Sequence, residues 1–168
     1  MQLIWRGYEL LPEGLEYNPP PPDLVQKPRI PSRFELLLAA DGLTLPRREN
    51  PFSRSRLALE GAEFALEHNN ATAYHDVIYH TYWEEDRDIS SKAVLTEAAE
   101  EAGLDVAEFI NALEDRRYRN RIIEFDAPAH AAGIWNVPTW MFAEEWIAEQ
   151  PYAVVRAYAE RFVRNHAG

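Results

Sequence analysis

The sequence has 168 residues, of which 46% are hydrophobic and 12% aromatic, and this is enough for one folded domain with a sizeable core. Its 28 acidic and 17 basic residues give a formal net charge of −11, which disfavours nucleic acid as a partner because phosphates would be repelled. Cysteine is absent, so disulfides, thiolate metal sites and a cysteine nucleophile are excluded within these residues.

The start of the chain lacks the pattern of a targeting or membrane segment. Arg6 and Glu9 interrupt its short apolar run, and no stretch of the sequence approaches the roughly 18 apolar residues that a spanning helix needs. We therefore expect no membrane partner and a cytoplasmic location.

The first 50 residues predict a short strand followed by a stiff connector. Residues 3–10 are rich in β-favouring types, and Pro12 ends this run. Residues 13–50 form a proline-rich connector, with four consecutive prolines at positions 19–22, because proline lacks the N–H that a helix or sheet requires. Within it, residues 34–40 predict a short apolar helix.

Apolar residues then recur at helical spacing and predict five helices across residues 51–133. Asp105 and Glu108 have the spacing of a capping box. The start and stop signals place the helices after Asn50-Pro51 and up to Asn69, around residues 74–82, from a cap at Ser90 or Ser91 to Gly103, from Asp105 to Leu113, and from about Tyr118 to Gly133.

The pattern changes after this helical block. Residues 137–142 and 146–148 predict two short strands of a hairpin, with Glu144-Glu145 as the tight turn. Pro151 begins a final amphipathic helix that includes Tyr158 and Phe162. The predicted order is therefore strand, connector, helical block, hairpin and helix.

Several motifs resemble the DsbA-like thioredoxin-fold family along essentially the whole chain. The closest branch is that of the FrnE-like thiol oxidoreductases, which neighbour the 2-hydroxychromene-2-carboxylate isomerases and the kappa-class glutathione transferases. The most specific motif is Ala129-x-x-x-Gly133-Ile134-Trp135-Asn136-Val137-Pro138-Thr139-Trp140. Residues 5–13 resemble the family's second strand and following turn, and residues 53–65 and 88–105 resemble its inserted helices.

This resemblance implies an α/β, thioredoxin-like fold with a large inserted helical block. Residues 1–168 would form a single domain, in which residues 1–12 and 134–168 are the thioredoxin-like part, residues 13–50 the connector and residues 51–133 the insertion. The chain would begin at the family's second strand. The first strand and the helix that carries Cys-x-x-Cys, or serine in the isomerases and transferases, would then be missing.

The resemblance also implies a substrate-binding loop without a catalytic residue. In the family, the residue before the cis-proline offers its backbone to an extended thiol or peptide substrate, which corresponds here to a cis Val137–Pro138 bond. The predicted substrate-binding residues are Trp135, Asn136, Val137, Pro138 and Thr139. Asn136 replaces the family's usual glycine, and asparagine tolerates the left-handed conformations that glycine adopts.

Other polar clusters have simpler interpretations. His75 and His80 are five residues apart and so do not share a helix face with metal-ligand spacing, and we predict no metal site for them or for His68. A basic cluster before the last inserted helix is interpreted as forming salt bridges within an acidic protein rather than an anion site; it comprises Arg116, Arg117, Arg119 and Arg121.

Three functions remain open from the sequence. The chain is the larger part of a DsbA-like oxidoreductase that is inactive without its Cys-x-x-Cys, or a non-catalytic thioredoxin-like binding or assembly module, or a relative of the glutathione-dependent isomerases. No cofactor is required, and glutathione is the one that the resemblance allows. The missing strand would leave sheet edges uncovered, so we expect a homodimer with its contact near this edge.

Overall fold

The computed structural model describes residues 6–13, 16, 33–44, 53–134 and 136–166. These ranges contain seven α-helices and one two-stranded sheet. In chain order they are α1 (Arg33–Ala40), α2 (Arg56–Glu67), α3 (Ala71–Trp83), α4 (Lys92–Glu101), α5 (Val106–Glu114), α6 (Arg119–Ala131), β1 (Thr139–Phe142), β2 (Glu145–Ala148) and α7 (Tyr152–His166).

The chain divides into two compact units, each described here by itself. The hairpin unit comprises Met1–Ile4, Glu16–Leu45 and Ile134–Gly168, and the helical unit comprises Trp5–Leu15 and Pro46–Gly133.

The core of the helical unit forms around α2, which contacts α3, α4, α5 and α6. Phe64 of α2 is fully buried and meets Phe109 and Tyr118 edge-on, with ring centroids 5.4 and 6.3 Å apart. Aromatic rings in this geometry stabilise a core beyond the area that they bury. Leu95 and Leu113 complete the centre of this core. The apolar residues of the inserted helices therefore form a helical core, as their spacing predicts.

A glycine lets α2 approach its neighbours closely in this core. A Cβ atom at Gly61 would overlap the hydroxyl of Tyr74 and lie 2.9 Å from Cζ of Phe109. Real Cβ atoms essentially never come this close to another heavy atom, so the packing of α2 against α3 and α5 depends on the missing side chain.

The hairpin unit packs α7 across β1. Phe142 is buried beside Tyr158 and Phe162, with ring centroids 6.1 and 6.0 Å away. The turn after α1 holds the start of α7, because the Tyr152 N–H donates to an Asp41 carboxylate oxygen at 2.9 Å.

Two local predictions are wrong. Residues 6–10 form no strand, and residues 3–5 lie outside the described ranges. Side chains of the helices contact the side chains of this segment instead: Arg56 binds the Glu9 carboxylate, and Nδ1 of His130 lies 3.0 Å from the Tyr8 hydroxyl. The hairpin turn is Ala143-Glu144 rather than Glu144-Glu145, because Phe142 pairs with Glu145.

Other boundaries moved by a few residues. The hairpin strand begins at Thr139 instead of Val137, and α2 begins at Arg56 instead of directly after Pro51. Asp105 caps α5 as predicted, accepting a hydrogen bond from the Glu108 N–H at 2.9 Å. Ser91 is the N-cap residue of α4, although its side chain makes no capping bond. The proline run at positions 19–22 lies outside the described residues.

Within the described ranges, no helix is long and apolar enough to cross a membrane.

Candidate functional site

The Val-Pro-Thr motif lies in a short loop that leads into β1. The Val137–Pro138 peptide bond is cis, the form that the resemblance predicts. The Thr139 hydroxyl donates to the Asn136 carbonyl at 2.6 Å, and the Pro138 carbonyl accepts from the Glu149 N–H at 3.0 Å. These two hydrogen bonds fix the loop against the hairpin. Asn136 and Pro138 are exposed, Val137 and Thr139 are half-buried, and Trp135 lies outside the described residues.

The register of the hairpin determines which backbone groups of β1 point outward. Trp140 pairs with Ile147, and the bond from the Glu149 N–H to the Pro138 carbonyl marks the next hydrogen-bonded position along the ladder. Hydrogen-bonded and non-hydrogen-bonded pairs alternate in an antiparallel ladder. The N–H and C=O groups of Thr139 and Met141 therefore point away from β2, toward the outer edge of β1.

The two edges of this hairpin differ. On β2, the outward carbonyl of Ala148 accepts a hydrogen bond from the Gln150 side chain at 3.0 Å, so this edge is partly capped. On β1, no other described residue bonds to the outward backbone groups of Thr139 and Met141. The β1 edge is therefore the side of the hairpin whose outward donors and acceptors have no partner among the described residues.

The β1 edge is also uncharged and partly apolar. Its four residues, Thr-Trp-Met-Phe, carry no charge, and the Met141 side chain is 55% exposed. The acidic residues of the hairpin lie at its turn and on β2, where Glu145 forms an ion pair with Arg161. An extended peptide can therefore approach this edge without electrostatic repulsion from a side chain of β1.

A cavity of about 250 Å³ lies at the other end of the hairpin. Phe142, Glu145, Arg161 and Phe162 are among its lining residues, and no residue of the Val-Pro-Thr loop is. The cavity is therefore separate from the loop.

The arginine cluster of the helical unit forms salt bridges within the chain, as predicted. Arg116 binds the buried carboxylate of Glu60 through bonds of 2.7 to 3.2 Å. The remaining pairs are Arg116 and Arg119 with Glu13, Arg117 with Glu108, and Arg121 with Glu63 and Glu67. Partial burial by itself would raise the pKa of Glu13. Hydrogen bonds from Arg116 and Arg119 outweigh this effect, so the pKa of Glu13 lies below the ordinary value.

The three histidines considered as ligands have separate surroundings. His68 stacks on Phe64, His75 stacks on Tyr79, and His80 lies 3.2 Å from a carboxylate oxygen of Glu84.

A second buried polar group, formed by Glu9, Arg56 and Asp126, was missed at the sequence level. Asp126 falls in line with Ile122 and Ala129, which are both buried on the same face of α6. A carboxylate at helical spacing with buried apolar residues is unusual, and it could have signalled this group. The partners Glu9 and Arg56 could not have been assigned from spacing, because 47 residues separate them.

The helices, the hairpin and the cis-proline loop together define a thioredoxin-like α/β protein with a helical insertion. The model of the DSBA-like thioredoxin domain matches residues 1–158. The chain therefore belongs to the DsbA-like thioredoxin-domain family, which the resemblance links to thiol oxidoreductases.

Two known proteins are similar to part of this chain. It is 37% identical over 98 residues to the uncharacterized protein YwbO of Bacillus subtilis (strain 168), a match that covers 56% of this chain and 48% of YwbO. The crystal structure of a probable DsbA oxidoreductase from Streptomyces coelicolor superposes with a TM-score of 0.62 at 20% identity, covering 77% of this chain and 56% of that one. The chain thus spans about half the length of the relatives it matches.

Proposed function

We propose that the β1 edge and the loop before it form the substrate-binding part of a thiol–disulfide oxidoreductase, and that the reactive thiol comes from outside these 168 residues. Family membership supports the reaction class. The open outer edge of β1 supports the binding role, and it is the observation that carries this part of the proposal. Thr139 and Met141 present their backbone groups there, beside the exposed Pro138.

The chemistry explains why a thiol must be supplied. In disulfide exchange, a thiolate attacks one sulfur of the substrate disulfide, a new sulfur–sulfur bond forms, and the second substrate sulfur leaves as a thiolate that takes up a proton. A second thiol then displaces the first substrate sulfur, and two electrons pass in total. The 168 residues contain no cysteine, so by themselves they would not catalyse this exchange.

An extended peptide is the substrate form that suits the β1 edge. A peptide that adds to a strand edge pairs its backbone with the free N–H and C=O groups, as in other cases of β-strand addition. The exposed Met141 side chain would contact alternate side chains of the peptide. The bound disulfide would then be held close to the loop, where a thiol from outside these residues could attack it.

Replacing Met141 by proline tests this binding role. Proline removes the outward N–H but leaves the β1–β2 ladder intact, because the Met141 N–H does not point toward β2. We expect S-carboxymethylated insulin B chain, labelled for fluorescence anisotropy, to bind the Met141→Pro variant about tenfold more weakly than the parent chain, the equivalent of one lost hydrogen bond.

Met141→Val is the matched control, since it keeps the N–H and a β-favouring side chain. Equal affinity of the parent and both variants would show that the peptide does not use the β1 edge. Light scattering on the same proteins tests the alternative occupant, which is a second copy of the chain. A dimer that dissociates in Met141→Pro but not in Met141→Val would show that copies pair through this edge.

Reduced glutathione is expected to compete with the peptide, because the related isomerases and transferases use it.

A further inference from the structure

A buried charged cluster joins residues 6–13 to the helical unit. Its central side chains are Glu9, Arg56 of α2 and Asp126 of α6, which are 1%, 5% and 4% exposed. Charged residues are almost never this buried unless they are paired. The cluster contains two carboxylates and one guanidinium, so the pairing is incomplete.

The hydrogen bonds show which of the two carboxylates Arg56 binds. Arg56 donates through Nε to Glu9 Oε2 at 2.7 Å and through Nη2 to the same oxygen, and its Nη1 donates to the Arg119 carbonyl at 3.5 Å. No described side chain donates to Glu9 Oε1 or to either carboxylate oxygen of Asp126. The backbone N–H of Glu9 lies near the Asp126 carboxylate and favours its ionised form.

Three other ionisable groups, His130, Tyr8 and Glu13, lie around the cluster. His130, one turn along α6 from Asp126, has its Nδ1 3.0 Å from the Tyr8 hydroxyl. Glu13 adds a further negative charge near Glu9. Burial raises the pKa of Asp126 above the ordinary value, against the opposing effects of the Glu9 N–H, Arg56 and His130. Burial also raises the pKa of Glu9, and Asp126 adds to the increase while Arg56 opposes it.

We propose that Glu9 and Asp126 hold one proton between them in the folded protein, mainly on Asp126, and that losing this proton as the pH rises loosens residues 6–13 from the helical unit. Arg56 compensates the charge of Glu9, and none of its described hydrogen bonds goes to Asp126. A deprotonated Asp126 would therefore be a buried negative charge to which no described side chain donates a hydrogen bond, and moving residues 6–13 away would let water reach it.

The direction of the pH effect follows from linkage. When residues 6–13 detach, Asp126 becomes solvated and returns to the ordinary pKa of about 4. The attached state holds the proton to higher pH, so its extra stability is complete below about pH 4 and is lost as the pH rises through the raised pKa. Within this window, one linked proton changes the attachment equilibrium by up to about tenfold per pH unit.

Amide hydrogen exchange on the full chain tests the proposal between about pH 5 and 8. We expect the opening constant of residues 6–13, corrected for the intrinsic pH dependence of exchange, to rise with pH in the parent chain, by up to about tenfold per unit. Asp126→Asn should abolish this rise, because the amide keeps the shape of the protonated acid but does not titrate. Glu124→Gln is the matched control, since Glu124 is an exposed carboxylate on the same helix.

Two results would overturn the proposal. In the first, the opening constant of residues 6–13 keeps its full pH dependence in Asp126→Asn. In the second, Glu124→Gln removes this pH dependence as completely as Asp126→Asn does. If Asp126→Asn does not fold, the carbon-13 shift of the Asp126 carboxyl group in the parent chain decides the matter: titration near pH 4, the ordinary range for aspartate, contradicts a retained proton, and titration above it supports one.

Discussion

Replacing Arg116 by methionine is expected to lower the free energy of unfolding by about 3 to 5 kcal/mol, because it leaves a buried carboxylate without its cation. Glu60 is 0% exposed, and Arg116 binds both of its oxygens. Arg116 also binds Glu13, so it joins α2 to residues 6–13 as well. Urea denaturation at neutral pH measures the change.

Arg117→Met is the matched control for this change. Arg117 is the next residue, and its pair with Glu108 is exposed on both sides with a separation of 3.6 Å. Its loss should change stability by less than about 1 kcal/mol, as is usual for surface pairs. Adding Glu60→Gln to Arg116→Met should recover part of the loss, since the stranded charge is removed. Similar losses for Arg116→Met and Arg117→Met would contradict the assignment of a buried ion pair.

Replacing Gly61 by alanine is expected to destabilise the protein by about 1 to 3 kcal/mol through overpacking. The new Cβ would overlap the Tyr74 hydroxyl and crowd Phe109, which are both fully buried and have little room to move. Helix propensity alone acts in the opposite direction, favouring alanine by about 1 kcal/mol. A measured loss in thermal or urea unfolding is therefore evidence of a steric effect.

A second substitution identifies the atoms responsible. The Tyr74 hydroxyl has no hydrogen-bond partner among the described residues, so Tyr74→Phe should cost little by itself. In combination, Tyr74→Phe should reduce the cost of Gly61→Ala, giving a double variant more stable than the two single effects predict. If Gly61→Ala instead stabilises the protein, α2 does not pack against Tyr74 and Phe109 as closely as described.

The helical unit could be predicted well from the sequence because its signals are local. Helical spacing and the cap at Asp105 located α2 to α6 to within a few residues, and the basic cluster at Arg116 to Arg121 was correctly expected to pair with acidic side chains. The hairpin was also predicted, although the turn moved by one residue because the pairing of Phe142 with Glu145 sets the register.

Residues 6–10 show where local signals fail. Their β-favouring composition predicts a strand, but Glu9 is bound by Arg56 and Tyr8 contacts His130, 122 residues away. Such contacts depend on the assembled helices, and no pattern within ten residues encodes them. Tertiary context therefore overrides the strand propensity.

The candidate binding site was partly predictable. The likeness of the Val137-Pro138-Thr139 motif to the family located the loop, whereas periodicity alone placed it only at the start of a strand. The difference between the two hairpin edges required the structure, because it depends on the register and on the Gln150 side chain. The resemblance therefore predicts the position of the loop, and the structure adds which backbone groups of β1 point outward to the proposed binding edge.

The most direct test of the account is to measure the thiols of the protein as its own cells make it. Isolated under acid quench, the protein would be alkylated before and after reduction, and each component weighed by intact mass spectrometry. We expect residues 1–168 to be recovered in a longer polypeptide, or with a bound partner, that carries a cysteine pair alkylated only after reduction. Recovery of these residues without any cysteine-containing segment or partner would contradict a role in thiol–disulfide exchange.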